Sequence, residues 1–108
     1  MEESSIKIKK KISLAIESYL NEVRKIKNYT IRSVEDVSIS DLRGLPSSQT
    51  ELYSGKEFKI NVYGNVAFMA KEIDGYSSKN PDFFVVGMII KFNSEEENFE
   101  IVDFGKLV

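Results

Sequence analysis

The chain contains no cysteine, no histidine and no tryptophan, and only two prolines in 108 residues. Without cysteine there are no disulfides, no thiolate nucleophile and no cysteine-ligated metal. Without histidine the commonest general base near neutral pH and the commonest metal ligand are both missing. A Ser-His-Asp triad, a Cys-His dyad and a histidine zinc site therefore cannot be built. Chemistry is left to carboxylates, lysine, arginine, tyrosine and backbone. Oxygen-only sites for Mg²⁺ or Ca²⁺ stay open in principle, but no spaced acidic loop of the EF-hand kind occurs. No metal and no cofactor is expected. No apolar run reaches the length that spans a bilayer. The opening Met1-Glu2-Glu3-Ser4-Ser5 does not read as a signal peptide, so the expected location is cytoplasmic; an exported domain whose signal or anchor has been removed is the alternative.

The net charge is −2, so there is no concentrated basic surface and no nucleic-acid partner is expected. Hydrophobic residues make up 42% and charged residues 30%, ordinary for a folded globular chain. The length suits one domain, residues 1–108, with a single core. A chain of this size buries roughly two-thirds of its unfolded surface.

Residues 5 to 27 carry the strongest local pattern. Ile8, Ile12, Ala15, Tyr19, Val23 and Ile26 recur at steps of three or four, and Ile16 and Leu20 widen the stripe. That period predicts one amphipathic helix, about 34 Å long, with a face wide enough to dock on a sheet. Ser4 or Ser5 suits the N-cap, Glu2 and Glu3 suit the positive end of the dipole, and Asn28 suits the stop. Lys7, Lys9, Lys10 and Lys11 form a basic cluster that reads as a solvated helix face, with an acidic partner or membrane surface as the functional alternative.

Four strands are expected after the helix, at about 29–41, 57–73, 82–92 and 98–104. In the first, Tyr29, Ile31, Val37 and Ile39 share one parity and Val34 the other, which implies a bulge or bend near 33–36, with two shorter strands as the alternative. Ser48-Gln49-Thr50-Glu51 has the spacing of a capping box, so a short helical turn is expected before Gly55. In the second strand Phe58, Ile60, Val62, Val66, Phe68 and Ala70 share a face if the strand is continuous, with Gly64 as a bend. A hairpin turning at Gly64-Asn65 is the alternative; the continuous strand keeps the apolar set together. Asp74 to Pro81 reads as a polar loop. In the third strand Phe84, Val86, Met88, Ile90 and Phe92 take one face, and Phe83, Val85 and Ile89 the other. Phe99 and Ile101 oppose Val102 and Phe104 in the last.

The expected fold class is therefore α+β, one long N-terminal helix on a curved antiparallel sheet of about four strands. One helix covers one face of such a sheet. The second face, assigned Tyr63, Met69, Ile73, Phe83, Val85, Ile89, Val102 and Phe104, needs a cover of its own, because a solvated face is normally polar. Strong curvature, a second copy of the chain, a ligand pocket or a protein partner would each supply one. The functional expectation is a non-enzymatic interaction protein using this face for homodimerisation or a protein partner. The alternative is a small pocket enzyme of isomerase or lyase type. Asp103, Asp41 or the Glu35-Asp36 pair would be its base, with Tyr19 or Tyr63 donating to an oxyanion. Glu95, Glu96 and Glu97 read as a solvated hairpin tip. Gly55, Gly64 and Gly75 are isolated, not a phosphate loop.

The run Ile60-Asn61-Val62-Tyr63-Gly64-Asn65-Val66-Ala67-Phe68 and the closing Asn98-Phe99-Glu100-Ile101-Val102-Asp103-Phe104 resemble strands of the cystatin-like and nuclear-transport-factor-two-like superfamily. The resemblance covers residues 57–104. It implies a helix wrapped by long curved strands and a small binding module, often dimeric through its sheet. That superfamily includes ligand-binding domains, isomerases, parts of secretion machinery and immunity proteins. Phe99 stands where tryptophan is common, and the cystatin inhibitory motifs are not recognisable.

Overall fold

A computed structural model describes residues 5–23, 25–26 and 29–108, with side chains described outside 23–32 and 72. The proposed caps Glu2, Glu3, Ser4 and Asn28 lie outside the described residues. The elements are α1 (Ser5–Val23), β1 (Lys25–Ile26), β2 (Tyr29–Arg43), α2 (Gln49–Leu52), β3 (Phe58–Glu72), β4 (Gly75–Lys79), β5 (Asp82–Asn93), β6 (Asn98–Asp103) and β7 (Lys106–Leu107). The architecture is α+β: one long helix on an open antiparallel sheet with more strands than four.

The helix is shorter than its pattern predicts. It ends at Val23, about 28 Å from its start at ~1.5 Å per residue. Lys25 and Ile26 instead pair with Thr30 and Tyr29. The β-branched Val23 and Ile26 lower helix propensity there, and the ladder gives the backbone of Lys25 and Ile26 an alternative set of partners.

The path through the sheet is β1-β2-β3-β5-β6. Two short strands lie off it. β4 continues the β5 side of β3, pairing Phe68–Glu72 with Gly75–Lys79. β7 continues the β6 side of β5, setting Leu107 against Val85 and Lys106 against Val86. The segment expected as a polar loop therefore contains a strand. Its residues, Tyr76-Ser77-Ser78-Lys79, lack the apolar alternation that marks a half-buried strand, because β4 is a marginal edge strand at the end of an arm. That arm explains the shape: extents of 50 × 25 × 24 Å and a radius of gyration of 14.5 Å, against about 13 Å for an average domain of this length.

β3 runs through Gly64 without turning. A Cβ there would collide with the Ser38 carbonyl oxygen of β2, so the residue is required by close approach of the neighbouring strand. The even-numbered set Ile60, Val62, Val66, Phe68 and Ala70 is buried on one face. β2 keeps pace with it through three irregularities, between Ile31 and Ser33, Val34 and Asp36, and Ile39 and Asp41. Each inserts one residue, which lets Val34, Val37, Ile39 and Leu42 all reach the inner side although their numbers change parity. The same insertions bend the strand.

α1 lies in the resulting trough with Ile12, Ile16 and Leu20 buried. Its backbone approaches β2 on one flank and β6 on the other. Each such fully buried aliphatic side chain contributes roughly 1.5–3 kcal/mol of transfer free energy. At the far end of the trough α2 supplies Leu52 to the core. Ser48 caps it, its hydroxyl accepting from the Glu51 N–H at 3.4 Å. Tyr53 follows and packs edge-on against Phe92, with centroids 4.8 Å apart, while Phe92 and Phe99 lie 5.3 Å apart.

The candidate interaction face

The geometry of the second face is set by one bulge in β5. Ile60 pairs with Met88 and Val62 with Val85, so the single residue Asn61 faces two, Val86 and Gly87. Gly87 has φ +73°, a conformation that favours glycine. Its N–H is taken by the Asn61 side-chain oxygen at 3.1 Å. On the other side Gly105, φ +80°, packs against the bulge; a Cβ on it would sit 2.8 Å from Gly87 C and Met88 N. Asp103 Oδ1 accepts the Gly105 N–H at 2.8 Å and holds the bend between β6 and β7.

This bulge corrects the expected faces. Phe83 and Val85 lie inward in the core with Met88 and Ile90, because the extra residue reverses the parity between them. Phe104 also turns inward. A further irregularity between Ile89 and Ile90 inserts Val102 in β6. The Phe104 ring then stacks on Tyr19 of α1, with centroids 4.7 Å apart and planes 5° from parallel. Three of the eight residues expected on the outer face are therefore core or core-packed residues.

Others remain outside. Tyr63 is 48% exposed and Val102 46% exposed, while Ile89 is half-buried. Met69 and Ile73 lie on the arm. Met69 is six residues along β3 from Tyr63, about 20 Å at ~3.3 Å per residue, and Ile73 is exposed in the β3–β4 turn. What assembles beside Tyr63 was expected on the inner side: Phe84, its ring 5.7 Å from that of Tyr63, and Val86, 38% exposed. The outer patch is thus Tyr63, Phe84, Val86 and Ile89 on β3 and β5. Gly87 inside an apolar run was the available signal, since an isolated strand glycine marks a bulge.

Charges of both signs border the patch. Lys59 and Asp103 are the register partners of Ile89, on β3 and β6. Lys106 is the register partner of Val86. Lys91 lies 3.9 Å from Glu100. Arg43 Nε donates to Asp41 Oδ2 at 3.0 Å, and this bond holds the Asp41 carboxyl below its ordinary pKa.

Of the proposed acids, Asp41 lines a pocket with Tyr63, Asn61 and Phe84 and is paired there with Arg43, and Asp36 lines another beside α1. Asp103 is exposed, engaged with Gly105, and lines none of the described pockets. Glu35, Asp36 and Asp41 are exposed along β2. Tyr19 is occupied by its stack on Phe104. No group of three potential metal ligands occurs among the described residues. The lysine cluster is dispersed: Lys9 reaches the Ser40 carbonyl at 3.3 Å, while Lys11 donates to the Tyr53 hydroxyl at 3.0 Å. No described helix is long and apolar enough to cross a membrane.

Compared with protein-family models, curated proteins and solved structures, the chain shows no significant match. The helix-on-antiparallel-sheet arrangement is compatible with a cystatin-like fold.

Proposed function

We propose that this protein is a small non-enzymatic interaction module that associates with a second copy of itself through the outer face of its sheet. The observation that carries the reading is the patch of Tyr63, Phe84, Val86 and Ile89, apolar on a face that α1 does not cover. Clustered aromatic and aliphatic side chains of this kind are costly to leave in water and mark an association surface. The mixed rim favours a second copy. Lys59 and Asp103 flank Ile89 on opposite strands, so a rotated copy can set each lysine against the other's aspartate. The sheet-mediated dimers implied by the cystatin-like resemblance point the same way, as a fold-level analogy.

Sedimentation equilibrium at high micromolar concentration tests this. The wild-type chain is expected to form a dimer, and Ile89→Asp a folded monomer with unchanged far-ultraviolet circular dichroism. A wild-type chain that stays monomeric at that concentration overturns the proposal, as does a dimer that survives Ile89→Asp.

A further inference from the structure

The flank of α1 and the hairpin joining β5 to β6 enclose a cleft of about 620 Å³ on the opposite side of the sheet edge from the outer patch. From the helix it is lined by Lys11, Leu14, Ala15, Ser18, Tyr19 and Glu22. Their spacing of three and four places them on one side of α1. From the hairpin it is lined by every residue from Glu96 to Ile101. Consecutive residues of a strand point to opposite faces, so a cleft that touches each of Asn98, Phe99, Glu100 and Ile101 borders the edge of β6 rather than a face. Among the described residues β6 pairs with β5 alone, so that edge carries backbone N–H and C=O groups with no ladder opposite. The helix overhangs the place that a further strand would occupy.

We infer that this cleft docks an extended basic peptide segment, which adds to the sheet as a strand beside β6. Backbone pairing would supply the register, and alternate side chains would face Leu14, which is 49% exposed, and Ala15. Charge selects the occupant. Glu22, Glu96 and Glu97 border the cleft; Glu100 also lines it but is engaged by Lys91 and Asn93, and the cleft's lysine, Lys11, donates to Tyr53. A lysine-bearing strand meets the carboxylates of Glu22, Glu96 and Glu97, which outnumber Lys11. The four strand residues that line it, Asn98 to Ile101, correspond to about 13 Å of a paired segment at ~3.3 Å per residue. This surface is separate from the outer patch and does not depend on self-association.

The test uses the full chain and a fluorescein-labelled heptapeptide of alternating lysine and valine. Two control peptides carry glutamate in place of lysine, or proline at the centre. Fluorescence anisotropy at low ionic strength is expected to show saturable binding, at least about tenfold weaker for both controls and weakened by added salt. Amide exchange of Asn98–Asp103 is expected to slow on peptide addition. Leu14→Lys and the double change Glu96→Lys with Glu97→Lys alter exposed residues, and both should weaken binding about tenfold with unchanged circular dichroism. Ile89→Asp should leave it intact. No saturable binding at millimolar peptide overturns the inference. So does equal binding of either control peptide, or slowed exchange at Phe84–Ile89 instead of β6.

Discussion

Asn21 offers the most direct test of how the helix is fixed to the sheet. Its side chain lies against the backbone of Val34 in β2: the Val34 N–H donates to Oδ1 at 2.8 Å, and Nδ2 donates to the Val34 carbonyl at 3.1 Å. A carboxamide thus makes the pair of bonds that a neighbouring strand would make, at a stretch of β2 bracketed by two bulges. Both bonds are partly buried. Removing them with Asn21→Ala forfeits about 1 kcal/mol each and leaves the Val34 groups short of partners, about 2 kcal/mol in total. For a domain near one hundred residues that lowers Tm by about 10 °C. Urea denaturation should show the midpoint falling with an unchanged slope. Asn21→Asp sharpens the test. One carboxylate oxygen can still accept the Val34 N–H, but the other opposes the Val34 carbonyl oxygen. This raises the folded-state pKa of the introduced carboxyl. The stability of that variant relative to Asn21→Ala is therefore present at acid pH, where the group is protonated and donates, and is lost as pH rises through the raised pKa. A loss below about 0.5 kcal/mol for Asn21→Ala, or an Asn21→Asp variant indistinguishable from it at every pH, would refute the role given to this residue.

Other expectations follow from the bends. Gly105→Ala adds a Cβ against the β5 bulge at positive φ and should cost about 3 kcal/mol, with faster exchange at the Val108 N–H that donates to the Phe84 carbonyl. Glu97 holds φ +55° at the end of the hairpin tip, so Glu97→Gly should raise stability by about 0.5–1 kcal/mol in thermal melts. The Asp41 carboxyl should titrate below a free aspartate by carbon-detected NMR, and Arg43→Ala should return it towards the ordinary range. Because that pKa is lowered on folding, any stability the exposed pair lends is present above the ordinary carboxylate range and lost as pH falls through the lowered value.

The parts of this fold that follow local periodicity were legible in the sequence. Ile12, Ile16 and Leu20 on the helix and Ile60 through Ala70 on β3 read correctly because each set keeps one period over its whole length. The strands that bulge did not read so well. A single inserted residue exchanges the two faces of a strand, and Phe83, Val85 and Phe104 were misplaced for that one reason. Their residue types give no hint, since β5 is apolar on both sides. Asn21 was invisible because a polar residue on the helix flank takes its meaning from a strand thirteen positions away. The cleft beside β6 was hidden for a related reason: a free edge is a property of which strands pair, not of which residues they contain. β4 and β7 escaped because short edge strands carry too few residues to show a period.

The stacking of Tyr19 on Phe104 joins the first element of the chain to the turn after β6. A nascent chain on the ribosome has α1 long before it has anything to set beside that flank. Until Asn98–Phe104 emerge, one flank of the helix has no strand beside it, and Ala15 and Tyr19 face water. Closure of the trough waits for β6, and such sequence-distant contacts make for slow folding. A chain cut short before β6 should therefore be a target for chaperones and proteases rather than a smaller version of the same domain.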